Sequence, residues 1–292
     1  MKKISLTPIV LSAFVFCGCS FSSSIKTDKN EKNKAEDTSV NITANREIVT
    51  VNDDMPCVSD YSQFDNKSYG FGYRKDKKGI VPSIGIYSEY FKGKNAYYTG
   101  NTNEKKIFLT FDEGYENGYT GKILDTLKEK QVPAAFFCTG DYLKKNDDLI
   151  CRMIDEGHII GNHTWNHPSM PGICDDEKFK SELTLFDDYL NEKHGIKTKF
   201  FRYPSGEFSQ RSLEMIKDMG YTTVFWSLAY KDWERDVSHG SAYAVSEVSE
   251  HIHNGAIILL HAVSKDNADA LPAIIDALKQ ENYKFVSLNE LK

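Results

Sequence analysis

From Lys106 onward the chain alternates short apolar runs with amphipathic stretches, and this restricts its fold more than any other feature. Ile107-Phe108-Leu109, Ala134-Ala135-Phe136-Phe137-Cys138 and Ala256-Ile257-Ile258-Leu259-Leu260 are apolar on both faces, as strands covered on two sides must be. The stretches between them carry helical spacing, as with Ile123, Leu124 and Leu127 on one face of 120–130. The pattern predicts strands over 107–111, 134–138, 158–161, 200–201, 224–226, 256–260 and 284–287. It predicts helices over 120–130, 147–156, 177–193, 212–219, 244–253 and 271–280. Such alternation implies an α/β fold, a parallel sheet covered by helices and closed or partly closed into a barrel. Barrels of this kind collect their chemistry at the C-terminal ends of the strands.

The strand ends carry polar clusters where that rule places them. The first predicted strand runs into Asp112-Glu113-Gly114, and the third into Asn162-His163-Thr164-Trp165-Asn166-His167. The fourth runs into Arg202-Tyr203-Pro204-Ser205-Gly206, the fifth is followed by Lys231-Asp232-Trp233, and the sixth ends in His261. Five such clusters at corresponding ends are hard to account for by packing.

Asp112 suits a general base and Glu113 a metal ligand; a strand-end acid capping the next helix is the alternative. His163 and His167 are spaced i, i+4, which puts two imidazoles on one face of a helical turn, as a metal site needs. Neutral imidazole suits zinc and other borderline divalent ions. Arg202 is placed to hold a carboxylate by paired hydrogen bonds, with an ordinary ion pair as the alternative. His261, at the mouth of an apolar strand, suits a general acid, and Asp232 would raise its pKa; the alternative is a satisfied core histidine. Trp233 would wall a small apolar pocket, and with Tyr115 and Tyr230 forms the candidate substrate-contact set; core packing is the alternative. His158 is expected to be structural, and His194, His239, His251 and His253 to be solvated.

Of the 292 residues, 40% are hydrophobic and 27% charged, which is globular composition, and the net charge of -6 leaves no basic surplus for nucleic acid. Lys2 and Lys3 precede an apolar run too short to span a bilayer comfortably, followed by Cys17-Gly18-Cys19-Ser20. Residues 1–19 therefore resemble an export signal of lipoprotein type with Cys19 lipidated, the alternative being an ordinary cleaved signal or an uncleaved anchor. Residues 20–54 are polar and without apolar periodicity, as in a disordered tether. Residues 55–105 are rich in Gly and aromatics and are expected to pack on the barrel as an extension; a small glycan-binding element is the alternative. Cys57, Cys138, Cys151 and Cys174 fit no C-x-x-C metal pattern, and Cys138 is expected to be a buried thiol.

In order along the chain, T-F-D-E-G, H-T-x-x-H, R-Y-P-S-G, K-D-W and L-L-H resemble the five motifs of the polysaccharide deacetylase family, carbohydrate esterase family four. The resemblance covers residues 106–292. The longer strings F-D-E-G-Y-E-N-G-Y-T, F-W-S-L-A-Y-K-D-W and L-L-H-A-V-S-K-D-N-A are similar to those of its delta-lactam-biosynthetic de-N-acetylase subgroup. The resemblance implies a distorted (β/α) barrel, usually seven-stranded, and metal-dependent removal of acetyl groups from glycans. For the subgroup it implies N-acetylmuramic acid in peptide-stripped peptidoglycan, and spore cortex maturation. By resemblance Asp112 is the base, Arg202 its tether, His261 the acid, Asp232 the residue tuning it, and Tyr203 the donor of a backbone N–H to the oxyanion. His163 and His167, with Glu113, would hold one divalent ion, zinc first and cobalt, manganese or magnesium as alternatives. Glu113 stands where the wider family has Asp, and Ala229 where the fourth motif usually begins with Asp. The expected partners are peptidoglycan strands and a membrane reached through the N-terminal signal, with the protein exported and monomeric. A deacetylase of N-acetylglucosamine units or of another glycan, or an inactive glycan-binding barrel, is the alternative.

Overall fold

The computed structural model describes residues 60–235 and 237–291. The expected signal segment 1–19 and tether 20–54 lie outside them. In chain order the elements are β1 (Tyr69–Gly70), α1 (Tyr87–Phe91), β2 (Ala96–Tyr97), β3 (Lys106–Glu113), α2 (Thr120–Lys130), β4 (Ala135–Cys138), α3 (Gly140–Lys145), α4 (Asp147–Asp155) and β5 (Ile159–Asn162). Then come α5 (Asp176–His194), β6 (Phe200–Phe201), β7 (Glu207–Phe208), α6 (Gln210–Asp218), β8 (Thr222–Val224), α7 (Ser241–Ser249), β9 (Ile257–His261), α8 (Lys265–Gln280) and β10 (Lys284–Phe285).

The strands β3, β4, β5, β6, β8, β9 and β10 pair in parallel, as the apolar runs predict, and β2 joins them on β8. The sheet curls. Past β8 the chain reaches β9, where Leu228 and Ile258 form a parallel bridge and the Leu259 N–H donates to the Leu228 carbonyl at 2.9 Å. The result is a distorted seven-stranded (β/α) half-barrel, the fold class expected from the sequence.

Pleating divides β3 between two layers. Ile107, Leu109 and Phe111 face outward, into a cluster with Ile123, Leu124 and Leu127 of α2 and Leu271, Ile274, Ile275 and Leu278 of α8. Phe108 faces inward with Ala135, Phe137, Phe200, Val224 and Ile257, filling the barrel floor. A third cluster joins the segment before β3 to α6 and the chain after β8. There Phe91 stacks on Phe225 with ring centroids 4.7 Å apart, and Phe71 lies 4.5 Å from the same ring.

Helix ends follow local chemistry. Ser209 and Ser212 form a reciprocal capping box at the start of α6, and Asp175 caps α5 through the Lys178 N–H. The last long helix begins at Lys265, capped by Ser264, six residues before the predicted start. Pro272 lies inside it, where a proline ordinarily signals a helix boundary. The short helix α3 also lacks a predicted counterpart; it is nucleated by Thr139, whose side chain accepts from the Tyr142 N–H.

Gly161 of β5 leaves room for the Phe137 ring, which lies 2.4 Å from where a Cβ would stand. Gly161→Ala is expected to destabilise the protein by about 1–3 kcal/mol through overpacking of the barrel floor. Urea unfolding of the two proteins measures the difference.

Candidate active site

Strand register brings the motif residues to one level. Asp112 on β3 is the Cα partner of His261 on β9, while Glu113, Cys138, Asn162 and Phe201 pair in turn across β3, β4, β5 and β6. The residues that follow, His163 and Arg202, therefore emerge at the same mouth as Asp112. They open on a cavity of about 820 Å³ lined by Asp112, His163, His167, His261, Tyr115, Trp233, Lys144, Trp165 and others.

Arg202 is fully buried and holds Asp112 through Nη1 to Oδ1 at 2.7 Å. Its other donors are spent on Thr110 Oγ1 at 2.9 Å and on the carbonyls of Val224 at 2.9 Å and Phe225 at 3.4 Å. The guanidinium also lies over the Phe137 ring, 4.1 Å from its centroid. Burial pushes the Asp112 carboxyl up, but Arg202 and its neighbours outweigh burial and hold it below the usual carboxylate value. Asp112 is thus ionised at neutral pH.

His163 donates from Nδ1 to the Arg202 carbonyl at 2.8 Å, which leaves Nε2 with its lone pair free, 3.6 Å from Asp112 Oδ2. Burial pushes this imidazole down to about 4 and lowers His167 as well, so both are neutral. Their rings stand edge to face with centroids 4.9 Å apart. The local structure differs from the helical turn expected of the spacing. The two histidines lie on a loop in which Thr164 and His167 adopt positive φ. Side-chain bonds hold that loop: Asn162 Oδ1 accepts from the Thr164 N–H, Thr164 Oγ1 from the His167 N–H, and the buried Glu182 from both nitrogens of Asn166.

His261 donates from Nδ1 to Asp232 Oδ1 at 2.7 Å, and the other Asp232 oxygen accepts the His261 backbone N–H at 2.8 Å. Burial works to lower this imidazole, yet the charge and hydrogen bond of Asp232 prevail and its pKa is raised above 6.5. Asn267 ties the pair down, donating to Asp232 and to the His261 carbonyl. Trp233 is half exposed and sets its ring edgewise to His261 at 5.7 Å, and Tyr115 sits at the rim with its hydroxyl 3.4 Å from the Trp233 carbonyl. Tyr203 is buried, its ring stacked on Phe225, and its backbone N–H donates to no group among the described residues.

Two expected contacts fall elsewhere. Glu113 belongs to β3, so the pleat turns it away from Asp112, toward Cys138 and Tyr142 under the helices; it lines no part of the cavity. It is fully buried with both oxygens unpaired among the described residues. Burial, then the charges of Glu116 and Asp112, push its pKa well above the ordinary value, which makes it a neutral acid. Tyr230 is a core residue whose hydroxyl bonds Asn267 Oδ1, so it supports the Asp232 pair from behind. His253 is buried, not solvated. Thr110 and Asn267 lie within the strings T-F-D-E-G and L-L-H-A-V-S-K-D-N-A, yet sequence reasoning gave neither a role, since a Thr inside a strand and an Asn in a helix's first turn do not show which partners they meet. Cys138 is buried and free as expected.

A model of the family described as polysaccharide deacetylase matches residues 99–224. The peptidoglycan-N-acetylmuramic acid deacetylase PdaA of Bacillus subtilis is 41% identical over 77% of this chain and 86% of its own length. The chain belongs to the polysaccharide deacetylase family. The structure of Bacillus subtilis PdaA, described as a family 4 carbohydrate esterase, superposes with a TM-score of 0.76 at 41% identity, covering 78% of this chain and 97% of that one. A peptidoglycan-N-acetylglucosamine deacetylase of Bacillus cereus is 34% identical over 67% of this chain and 71% of its own length.

Deacetylases of this family are generally metal-dependent, and the donor set here fits a divalent ion: two neutral imidazoles beside an ionised carboxylate at an open cavity. His163 and His167 would hold it. Among the described residues, the ligand atoms that lie close together as they stand are those of Asp147, Cys151 and His194, on α4 and the end of α5, away from the cavity.

Arg202→Met leaves Asp112 buried without its cation, and a loss of about 3–5 kcal/mol in urea unfolding is expected at neutral pH. Because the folded pKa of Asp112 is depressed, the stability it contributes is present above the ordinary carboxylate range and fades as pH falls through the folded value. The gap between the two proteins should therefore narrow in acid.

Proposed function

We propose that this polysaccharide deacetylase removes the N-acetyl group from N-acetylmuramic acid in peptidoglycan glycan stripped of its stem peptides. The freed amine can then close on the lactyl carboxyl as the delta-lactam of spore cortex. One observation carries the reading. An ionised Asp112 and a His261 whose pKa is raised by Asp232 stand side by side as register partners on neighbouring strands and line one cavity, in a chain 41% identical to a muramic acid deacetylase. The 34% identical N-acetylglucosamine deacetylase supports the second reading, in which the same site acts on N-acetylglucosamine units. The protein acts outside the cell membrane, exported by residues 1–19 and held to the surface through residues 20–54, with the lipid on Cys19.

The reaction divides between two neighbouring strands, β3 with Asp112 and β9 with His261. Asp112, fixed in orientation by Arg202, takes a proton from the attacking water. A bound divalent ion supplies Lewis-acid polarisation of the acetyl carbonyl and acidifies water. The uncommitted Tyr203 N–H stabilises the negative charge that develops on the carbonyl oxygen. His261, kept protonated by Asp232, gives its proton to the nitrogen as the C–N bond breaks, so that a neutral amine leaves along with acetate. Trp233 and Tyr115 flank the sugar at the rim.

The deciding measurement is acetate release from peptide-stripped glycan, intact peptidoglycan and chitin oligomers, with and without chelator. Release from the stripped glycan alone, lost with chelator and restored by a divalent ion, is expected; release from chitin oligomers alone selects the second reading. Asp112→Asn and His261→Ala should each lower kcat by at least about a hundredfold in a folded protein. Activity should rise as Asp112 ionises, below the usual carboxylate range, and fall as His261 loses its proton, above 6.5. Asp232→Asn removes what raises His261 and leaves burial, so the alkaline limb should move to lower pH. An unmoved limb would assign it to another group.

A further inference from the structure

We infer that Lys144 recognises the free lactyl carboxylate of the muramic acid residue, and through it the absence of a stem peptide. The inference rests on the muramic acid reading above. In that sugar the acetamide and the lactyl ether stand on neighbouring ring carbons, and the amine and carboxyl are close enough to join as a lactam. Whatever binds the carboxylate must therefore lie within a side chain's length of the acetamide, on the wall beside Asp112 and His163.

That wall carries one cation suited to the task. Arg202 is enclosed, and its donors are committed to Asp112, Thr110 and two carbonyls. Arg235 lies over the Tyr115 ring and is not a lining residue. Lys144 lines the cavity, and no described residue forms an ion pair or hydrogen bond with it. Its Nζ sits 4.7 Å above the ring of Trp165, which lies on the loop between His163 and His167. Trp165 is itself held there. Its N–H donates to the Glu182 carbonyl at 2.8 Å, and Gly140 lies so close that a Cβ would stand 2.2 Å from the indole. The competing acid on the same wall, Asp141, is engaged by Lys145 at 2.9 Å. Lys144 is thus a cation positioned by an aromatic face, next to the histidine loop, with no carboxylate of its own.

A stem peptide converts the lactyl carboxylate to an amide, which is neutral and branched. An ammonium at this place favours the stripped glycan by charge alone, without a shape filter. It also separates muramic acid from N-acetylglucosamine, whose C3 carries only a hydroxyl.

The test compares two substrates on one protein preparation, so partial misfolding cancels. Stripped glycan is used as such and after its lactyl carboxylates have been converted to methylamides, and deacetylated muramic acid and glucosamine are counted separately in the product. Wild type should prefer the free carboxylate in kcat/KM by about tenfold, the size of one charge-assisted hydrogen bond at an open site. Lys144→Met should bring the ratio near one, and Lys144→Arg should keep it. A ratio that is near one in wild type, or equal in wild type and Lys144→Met, overturns the role of Lys144. Wild type that deacetylates only glucosamine residues overturns the muramic acid reading itself, and the inference with it.

Discussion

The active site depends on one buried ion pair. A guanidinium cannot be taken fully out of water unless nearly all its donors are met, and those of Arg202 are met by Asp112, Thr110 and the carbonyls of Val224 and Phe225 at the end of β8. Thr110 in turn donates to the Ile258 carbonyl at 2.6 Å, so the pair is braced by β9 as well as by β3 and β6. Beneath it, Gly161 makes space for Phe137, and Phe137 gives the guanidinium its π face. The charge that keeps Asp112 ionised is therefore held by four strands and the packing of the barrel floor. His163 reads the same residue, through the Arg202 carbonyl that fixes its tautomer.

Asp112 and Glu113 are chemically alike, adjacent and both buried, and they end in opposite states. Pleating sends Asp112 inward to Arg202 and Glu113 outward under the helices, where no cation among the described residues meets it. The inward carboxyl is ionised and the outward one neutral. A divalent ion of the kind the family generally uses would thereby be left to His163 and His167, on the cavity side of the site. Glu113 works instead as a buried polar group against Tyr142 and Cys138.

The residues of the site were legible wherever a strand ended on the expected side. Asp112, His163, Arg202 and His261 each close an apolar run, and in a parallel sheet that position alone sends them to one mouth. Orientation was less legible. Two acids in a row give no indication of where the strand stops, and β3 continues through Glu113, so the pleat still governs it. The i, i+4 histidines are a pair, but left-handed backbone at Thr164 and His167 brings them together, not helical periodicity. Tyr230, expected at the substrate, packs its ring into the core, a difference of orientation that the sequence does not show. Lys144 meets Trp165, and Asn267 meets Asp232 and Tyr230, through contacts made across the fold, and the sequence does not show those partners. The start of α8 was obscured because Pro272 lies in the helix interior.

The acid side is held by a longer chain of contacts, which reaches the segment before β3. Tyr73 donates to the Ala229 carbonyl at 3.1 Å and accepts the Ala229 N–H at 2.7 Å, fixing the backbone three residues ahead of Asp232. On the far side of that stretch, Tyr230 and Asp232 both engage Asn267 of α8. Phe71 acts on the same stretch from below, packing on Phe225, whose carbonyl accepts from Arg202. The segment before β3 thus touches the backbone that supports both the base and the acid. Its aromatic content then follows from geometry: rings from one side of the chain set the position of charges on the other.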